Sequence, residues 1–484
     1  MNAEKLYNSL PVPLQNAACS LVGWRIQRTR FDARFAQMLA EAQQRAAWPP
    51  ERRLEYRDQR LRAFVRHAAE TVPYYRDLFR EQNIDPGNIR ALDDLKQLPI
   101  LTKAEVQRQG DRMLSEAVAT SQRVMAHTSG TTGGGLRFAT TADAVREQWA
   151  VWWRYRRWHG IEPGTWCGYF GGRSVVPLGQ QGPPWWRYNR PGRQILFSGY
   201  HLSPENMPAY VDQLRRRRPP WLHGYPSLLA LLASYLLDSG EELGYALKAI
   251  TIGAENLLPQ QAALIERALG IRPRQHYGMA EAVANISETP DGTLMVDEDF
   301  AAVEFLPTNN GQHRIIGTNF SNPATPLLRY DVQDLATLEP KRGRDSFAGN
   351  RSSGCFAQKS PVPFLALRTV AAIDGRREDY VVLPGGARVG RMDHIFKDLT
   401  NIREAQIHQR HAERITIRVV RGGAYTEADE QRLLEETRSR LGREIGIEIE
   451  YVDRLPRSST GKLRLVVSEL EGGHITPEGA HGNR

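Results

Sequence analysis

The chain has 484 residues, 41% hydrophobic and 25% charged, and its 64 Lys+Arg against 55 Asp+Glu give a formal net charge of +9. These fractions are ordinary for a folded globular protein and exclude wholesale disorder, and the length allows roughly two to four structural units. Cys19, Cys167 and Cys355 are too few and too far apart for a disulfide framework or a four-cysteine metal site, which points to a reducing, cytoplasmic setting.

No window approaches the roughly 18 consecutive apolar residues of a membrane helix, so no integral membrane segment is expected. Met1 to Gly23 carries Glu4, Asn8, Pro11, Pro13 and Gln15 and does not read as a secretory signal. Leu14 to Trp24 reads as a packed N-terminal helix, with a helix lying on a membrane surface as the alternative. Residues 26 to 82 are rich in Arg, Ala, Glu and Leu and read as helical, split at Pro49-Pro50, with Tyr74 to Phe79 packing inward.

From about 120 to 330, β-like runs (Trp166–Phe170, Ala249–Ile252) alternate with helical ones (Leu228–Leu237, Pro259–Leu269). That alternation predicts an α/β fold with several mostly parallel strands. Arg215-Arg216-Arg217-Arg218 precedes Pro219-Pro220 and reads as a solvated helix end, where cations favour the dipole, or as a patch for an anionic substrate. Residues 341 to 363 read as a surface loop or insertion. In the tail, two alternating strands (Ile415–Val420, Ile447–Val452) flank a helix with Thr426 and Asp429 at its start and Leu433, Leu434, Thr437 and Leu441 on its apolar face. This makes a small α+β module, divided from the rest near Asp374-Gly375, with Gly472 to Arg484 expected to be disordered.

His127-Thr-Ser-Gly-Thr-Thr-Gly-Gly-Gly135 sets hydroxyls among glycines after a short apolar run. Exposed backbone N–H groups and small hydroxyls can cradle phosphates, and a polar turn is the other reading. No Gly-Lys-Ser/Thr follows, and the glycine spacing is not that of a dinucleotide fold.

Thr128 to Gly133 resembles the phosphate-loop signature of adenylate-forming enzymes: acyl-CoA synthetases, peptide-synthetase adenylation domains and luciferases. Further motifs follow in the family's order. Gly253-Ala254-Glu255 resembles the segment bordering the adenine pocket, and Tyr277-Gly278-Met279-Ala280-Glu281 resembles its Tyr-Gly-x-x-Glu motif. Arg329 to Asp334 resembles Arg-Tyr-x-x-Gly-Asp, with Gln333 where glycine is usual. Gly375 to Asp379 resembles the hinge, with Arg391 in Gly390–Asp393 as a rival, and Ser459 to Lys462 resembles the C-terminal lysine loop. Together with the N-terminal helical segment, these are similar to the phenylacetate–CoA ligase-like branch, which includes members associated with polysaccharide biosynthesis.

That resemblance implies a large N-terminal adenylate-forming domain of layered sheets and helices (1–374) and a small mobile α+β lid (375–472), with residues 473–484 as a tail. It implies ATP and Mg²⁺ as cofactors, a small carboxylic acid as substrate, and CoA as the default acyl acceptor. An amine, a sugar or a carrier protein is the alternative acceptor. Thr128, Ser129, Gly130, Thr131, Thr132 and Gly133 would hold phosphates, Thr132 and Lys462 would serve catalysis, and Glu281 would position the metal. Tyr277 would stack on adenine beside Gly278, Asp334 would accept from the ribose hydroxyls (Asp331 being the weaker substitute), and Arg376 would contact the nucleotide.

His223 and Tyr225, in Trp221–Ser227, fit an acyl pocket or an ordinary core. Trp152-Trp153 and Trp185-Trp186 are open in the same way. Gln333 and the 341–363 stretch leave room for divergence, including weak or lost activity. From another class, a nucleic-acid-binding or scaffold protein on the same fold rests on the +9 charge alone. ATP, pyrophosphate and CoA account better for that charge, and no nucleic-acid partner is expected. Oligomeric state, a homodimer included, is left open.

Overall fold

The N-terminal helical segment comprises Val12–Arg30, Ala33–Ala46, Pro50–Thr71 and Pro73–Glu81. A computed structural model describes residues 3–127, 136–172, 175–177, 179–308, 311–339, 367–376, 381–384, 388–389, 392, 395, 401–442, 444–457 and 463–470. Pro50 and Pro73 each sit at the start of a helix, where a missing N–H costs nothing. Tyr75 and Phe79 are buried, as expected.

The helix Val12–Arg30 packs against the edge strand Trp186–Asn189, but with its polar side inward. Gln15 Oε1 accepts from Arg187 Nε at 2.6 Å, Asn16 Oδ1 accepts from the Tyr188 N–H at 2.8 Å, and the Ser20 hydroxyl donates to the Tyr188 carbonyl at 3.1 Å. Leu14, Leu21, Val22 and Trp24 face outward, between 47% and 66% exposed. No helix among the described residues is long and apolar enough to cross a membrane.

A five-stranded sheet is ordered Trp186–Asn189, Gln194–Ser198, Cys167–Gly171, Trp221–Gly224, Ala249–Ile252; all its pairings are parallel except that of the first strand. The helices Met207–Arg217 and Pro226–Ser239 supply its crossovers, and Tyr210, Leu214, Leu222, Leu228, Leu232 and Ile250 are fully buried between the layers. Trp185 and Trp186 belong to this core, and Trp153 to a neighbouring one. The arginine run closes the helix Met207–Arg217, with Arg218 in the left-handed conformation.

The expectation of mostly parallel strands fails beyond residue 276. Seven strands there form one antiparallel sheet, ordered Ala301–Pro307, His313–Asn319, Tyr330–Leu338, Thr369–Arg376, Leu294–Val296, Asn285–Glu288, His276–Gly278. Where the connections are short, as from Asn285–Glu288 to Leu294–Val296 and from Ala301–Pro307 to His313–Asn319, the pair must be antiparallel, because a parallel pair needs a crossover of a dozen or more residues. The first of these connections is the turn at Thr289–Thr293: Gly292, at φ +94°, donates to the Thr289 carbonyl. Pairing of Asp334 with Arg376 and of Leu335 with Gly375 carries this sheet two residues past the expected boundary at 374.

The small C-terminal domain has a four-stranded sheet, ordered Gly446–Tyr451, Arg414–Arg421, Ile402–His411, Val466–Ser468, covered by the helix Glu427–Leu441. Thr426 and Asp429 form the expected cap, with the Thr426 N–H and hydroxyl both 2.8 Å from Asp429 Oδ2. Leu433, Thr437 and Leu441 are buried, while Leu434 is half-buried. Ile407, Ile415, Ile417, Val419 and Leu433 give the domain its own core. The readings of 341–363 and of Gly472–Arg484 lie outside the described residues.

Candidate active site

The ends of the parallel strands, the antiparallel sheet and the C-terminal domain meet around a cavity of about 680 Å³. Gly253, Ala254 and Glu255 leave the strand Ala249–Ile252 at its C-terminal end, where α/β sheets place their ligands. On the neighbouring strand, His223 sits next to the C-terminal residue Gly224 and Tyr225 follows just beyond it. Tyr277, Gly278, Met279, Ala280 and Glu281 line the opposite wall, and Asp334 closes it. All these residues, scattered over more than a hundred positions, therefore face one space. Thr128, Ser129, Gly130, Thr131, Thr132, Gly133, Arg391, Lys462 and the side chain of Arg376 lie outside the described residues.

The Tyr277 hydroxyl donates to Asp334 Oδ2 at 2.7 Å, which orients the carboxylate without removing its capacity to accept more hydrogen bonds. Asp331, the weaker candidate, is committed elsewhere. It pairs with Arg314 at 2.5 Å and accepts from the Gln333 N–H at 3.0 Å. Gln333 itself has φ +66°, so the chain keeps here a left-handed conformation that favours glycine, although glycine is absent. Ala254, on the facing loop, is likewise at φ +68°. Such strain gathers at ligand sites.

Gly278 has a packing reason as well as a spatial one. A Cβ there would lie 2.9 Å from Asn285 Oδ1 and 3.2 Å from Trp152 Nε1, the pair that forms a 2.9 Å hydrogen bond behind it. Asn285 is tied in turn to Asp297 at 2.5 Å, and Asp297 to Arg154 at 2.7 Å. The cavity wall is thus fastened to a buried ionic network in which Arg154 and Arg45 hold Asp299, and Arg57 and Arg368 hold Glu298. None of these positions stands out in the sequence.

His223 Nδ1 lies 2.9 Å from the Thr251 hydroxyl and 3.1 Å from the Thr251 carbonyl, which fixes the ring against the neighbouring strand. Burial, then the nearby Arg156, push the His223 pKa down to about 3, and burial does the same to His276. Both imidazoles are neutral near pH 7. Trp152, Tyr155, Arg156, Tyr169 and His276 complete this part of the lining.

The C-terminal domain closes the rim through Leu463, Arg464 and Leu465. Glu255 accepts from the Leu463 N–H at 2.8 Å and from the Ser227 N–H at 3.3 Å, so one carboxylate joins both domains. Arg457 donates to the Ser227 hydroxyl at 2.8 Å and pairs with Glu404, while Arg403 reaches Asp238 at 2.5 Å. Glu404, buried, and Glu255, half-buried on the facing domain, both feel the positive charge of Arg457. Burial raises the pKa of both, Glu404 to about 7.

For the metal, no group of three or more His, Cys, Asp or Glu that could hold an ion occurs among the described residues. Mg²⁺ bound largely through phosphates and water needs only one or two carboxylates, and Glu281 on the cavity wall fits that mode.

Residues 382–469 match the family described as the CapK C-terminal domain. The chain is 24% identical to protein CapK of Staphylococcus aureus over 473 residues, covering 96% of this chain and 99% of that protein. It is 27% identical to the phenylacetate-coenzyme A ligase of Escherichia coli (strain K12) over 325 residues, 61% of this chain and 69% of the ligase. It shares the fold of 2-hydroxyisobutyryl-CoA ligase in the postadenylation state with 2-HIB-AMP, with a TM-score of 0.64 at 19% identity over 88% of this chain and 92% of that one. In sequence the chain is thus similar to CapK and to phenylacetate-coenzyme A ligase, and in fold to a CoA ligase, in line with the resemblance its motifs carry to adenylate-forming enzymes of the phenylacetate–CoA ligase-like branch.

Proposed function

We propose that this protein activates a carboxylic acid with ATP, forming an acyl-adenylate and pyrophosphate, and then passes the acyl group to a second nucleophile in the cytoplasm. The observation that carries this reading is the convergence of Gly253–Glu255, Tyr277–Glu281, Asp334, His223 and Tyr225 on one cavity whose rim is closed by the C-terminal domain.

The acid's carboxylate attacks the α-phosphorus, and pyrophosphate leaves. Attack of one anion on another needs positive charge and oriented donors at the phosphates. The loop Thr128–Gly133, with Thr132, supplies donors to the β- and γ-phosphates. Lys462, next to the rim residue Leu463, carries its charge to the reacting carboxylate and α-phosphate when the lid is closed. Mg²⁺, when bound at Glu281, neutralises phosphate charge. Tyr277 stacks on adenine while orienting Asp334 for the ribose hydroxyls, and Arg376 meets the nucleotide from the hinge.

CoA is the default acceptor. The likeness to the phenylacetate ligase of Escherichia coli covers 61% of this chain against 96% for CapK, and an amine, a sugar or a carrier protein is the second reading. The variant Lys462→Ala tests the chemistry: acid-dependent ATP–pyrophosphate exchange is lost while ATP binding is nearly intact. Undiminished exchange in that variant sinks the assignment. Release of free thiol from CoA, followed with and without acid, separates the two acceptors.

A further inference from the structure

Two arginines on the helix Ala142–Trp158 stand two positions apart and are treated differently by the fold. Arg154 is buried and neutralised by Asp297 and Asp299 at 2.7 and 2.8 Å. Arg156 is also buried, at 8% exposure, yet it lines the cavity. Its guanidinium lies 4.8, 5.2 and 5.4 Å from the ring centroids of Trp153, Trp221 and Trp149, a sleeve of aromatic faces that holds the group without discharging it.

No carboxylate is among the groups that act on Arg156. Burial lowers its pKa to about 10, and its other electrostatic neighbours are Cys167, Tyr155 and Tyr169. Among the described residues its side chain has no ion pair or hydrogen bond, whereas Arg45, Arg57 and Arg329 each have a carboxylate within 3.1 Å. The adjacent imidazoles are neutral and bring no counter-charge. The Tyr155 hydroxyl and His276 Nε2, both on the cavity lining, are buried without a hydrogen-bond partner among the described residues. A buried cation without a counter-charge is costly and is retained where a ligand supplies the missing anion.

We propose that the acid activated here carries a second anionic group, and that Arg156 binds that group while Tyr155 and His276 complete its hydrogen bonds. The proposal rests on the adenylation reading only for the fate of the other carboxylate. Lys462 and Mg²⁺ meet the charge of the reacting end, and Arg156 meets the distal one. The aromatic lining from Trp152, Tyr155 and Tyr169 favours a flat spacer between the two ends.

Matched acids test this in ATP–pyrophosphate exchange: 4-carboxyphenylacetate against phenylacetate, and glutarate against pentanoate. The wild type is expected to favour each diacid by about 100-fold or more in kcat/KM, because a site built for a group rejects the analogue lacking it. Arg156→Met should abolish that preference through KM, and Arg156→Lys should restore part of it. Preference for the monoacids in the wild type, or an equal loss on both members of each pair in Arg156→Met, overturns the proposal. A second measurement does not need catalysis: titration of 4-carboxyphenylacetate without ATP, followed by fluorescence of the tryptophans around Arg156. Saturable quenching in the wild type that Arg156→Met lacks supports the anion site even where exchange is absent, a result that sinks adenylation alone. Quenching that is absent, or the same in both proteins, overturns the site.

Discussion

Removing the Arg457 guanidinium should open the enzyme without unfolding it. Arg457 and Glu404 are 10% and 5% exposed in their side chains, and Glu255, across the interface, is half-buried and lies within reach of the Arg457 charge. Arg457→Met leaves the buried Glu404 without its ion-pair partner and Glu255 without the nearby positive charge. Breaking a buried pair from one side costs roughly 3–5 kcal/mol. Here a cheaper escape exists than unfolding, because separation of the domains returns both carboxylates to water while each domain keeps its own core. The closed population should therefore fall by roughly 10²- to several 10³-fold, at about 1.4 kcal/mol per tenfold. Acid-dependent pyrophosphate release should drop in kcat by about 100-fold or more, with the melting temperature within a few degrees of wild type on the same reasoning. Adding Glu404→Gln should recover part of the loss. Wild-type release in Arg457→Met, or melting of the whole protein without a selective kinetic defect, would refute this account of closure.

Other outcomes follow from the same geometry. Burial raises the Glu404 pKa to about 7, above its solvated value, so closure takes up a proton. Closure is then most favoured below the ordinary glutamate range, near 4.5, and weakens as pH rises from there through about 7, where the effect is complete; the release rate of the wild type relative to Glu404→Gln should decline between about pH 5 and 7 and level off above, and matching profiles would contradict this. Tyr277→Phe removes a hydrogen bond to a carboxylate worth about 1.5–3 kcal/mol and should raise the KM for ATP by roughly tenfold or more with little change in kcat; an unchanged KM would show that Asp334 is held by other means. Gln333→Gly should relieve a left-handed side-chain penalty of about 1 kcal/mol and raise the melting temperature by about 2 °C. Lower stability in that variant would mean that the glutamine side chain does more than tolerate its conformation.

What could be read from the sequence is what lies in contiguous stretches. Tyr277 to Glu281 and Gly253 to Glu255 carry their meaning locally, because a strand end and its turn present neighbouring residues to one ligand. The cap of Thr426 and Asp429 is equally local. Arg156 is not of this kind: in Arg154-Tyr155-Arg156-Arg157 it looks like any basic helix, and only the carboxylates that reach Arg154 and not Arg156 set it apart. Asp297, Glu298 and Asp299 resemble an exposed acidic turn until their arginines arrive from four other segments. The helix Val12–Arg30 hides its orientation because it is packed by hydrogen bonds from Gln15, Asn16 and Ser20, which leave no apolar stripe to point inward. Strand direction after residue 276 is not legible in the sequence, because alternation reports burial of one face and carries no information on the direction of the neighbouring strand.

Incubation of the wild type with ATP, Mg²⁺ and a panel of carboxylic acids, monoacids and diacids alike, tests the central claim most directly. The predicted result is AMP and pyrophosphate formed in equal amounts, dependent on at least one acid and abolished in Lys462→Ala. No acid-dependent pyrophosphate across the panel, or ADP and phosphate in its place, would contradict it.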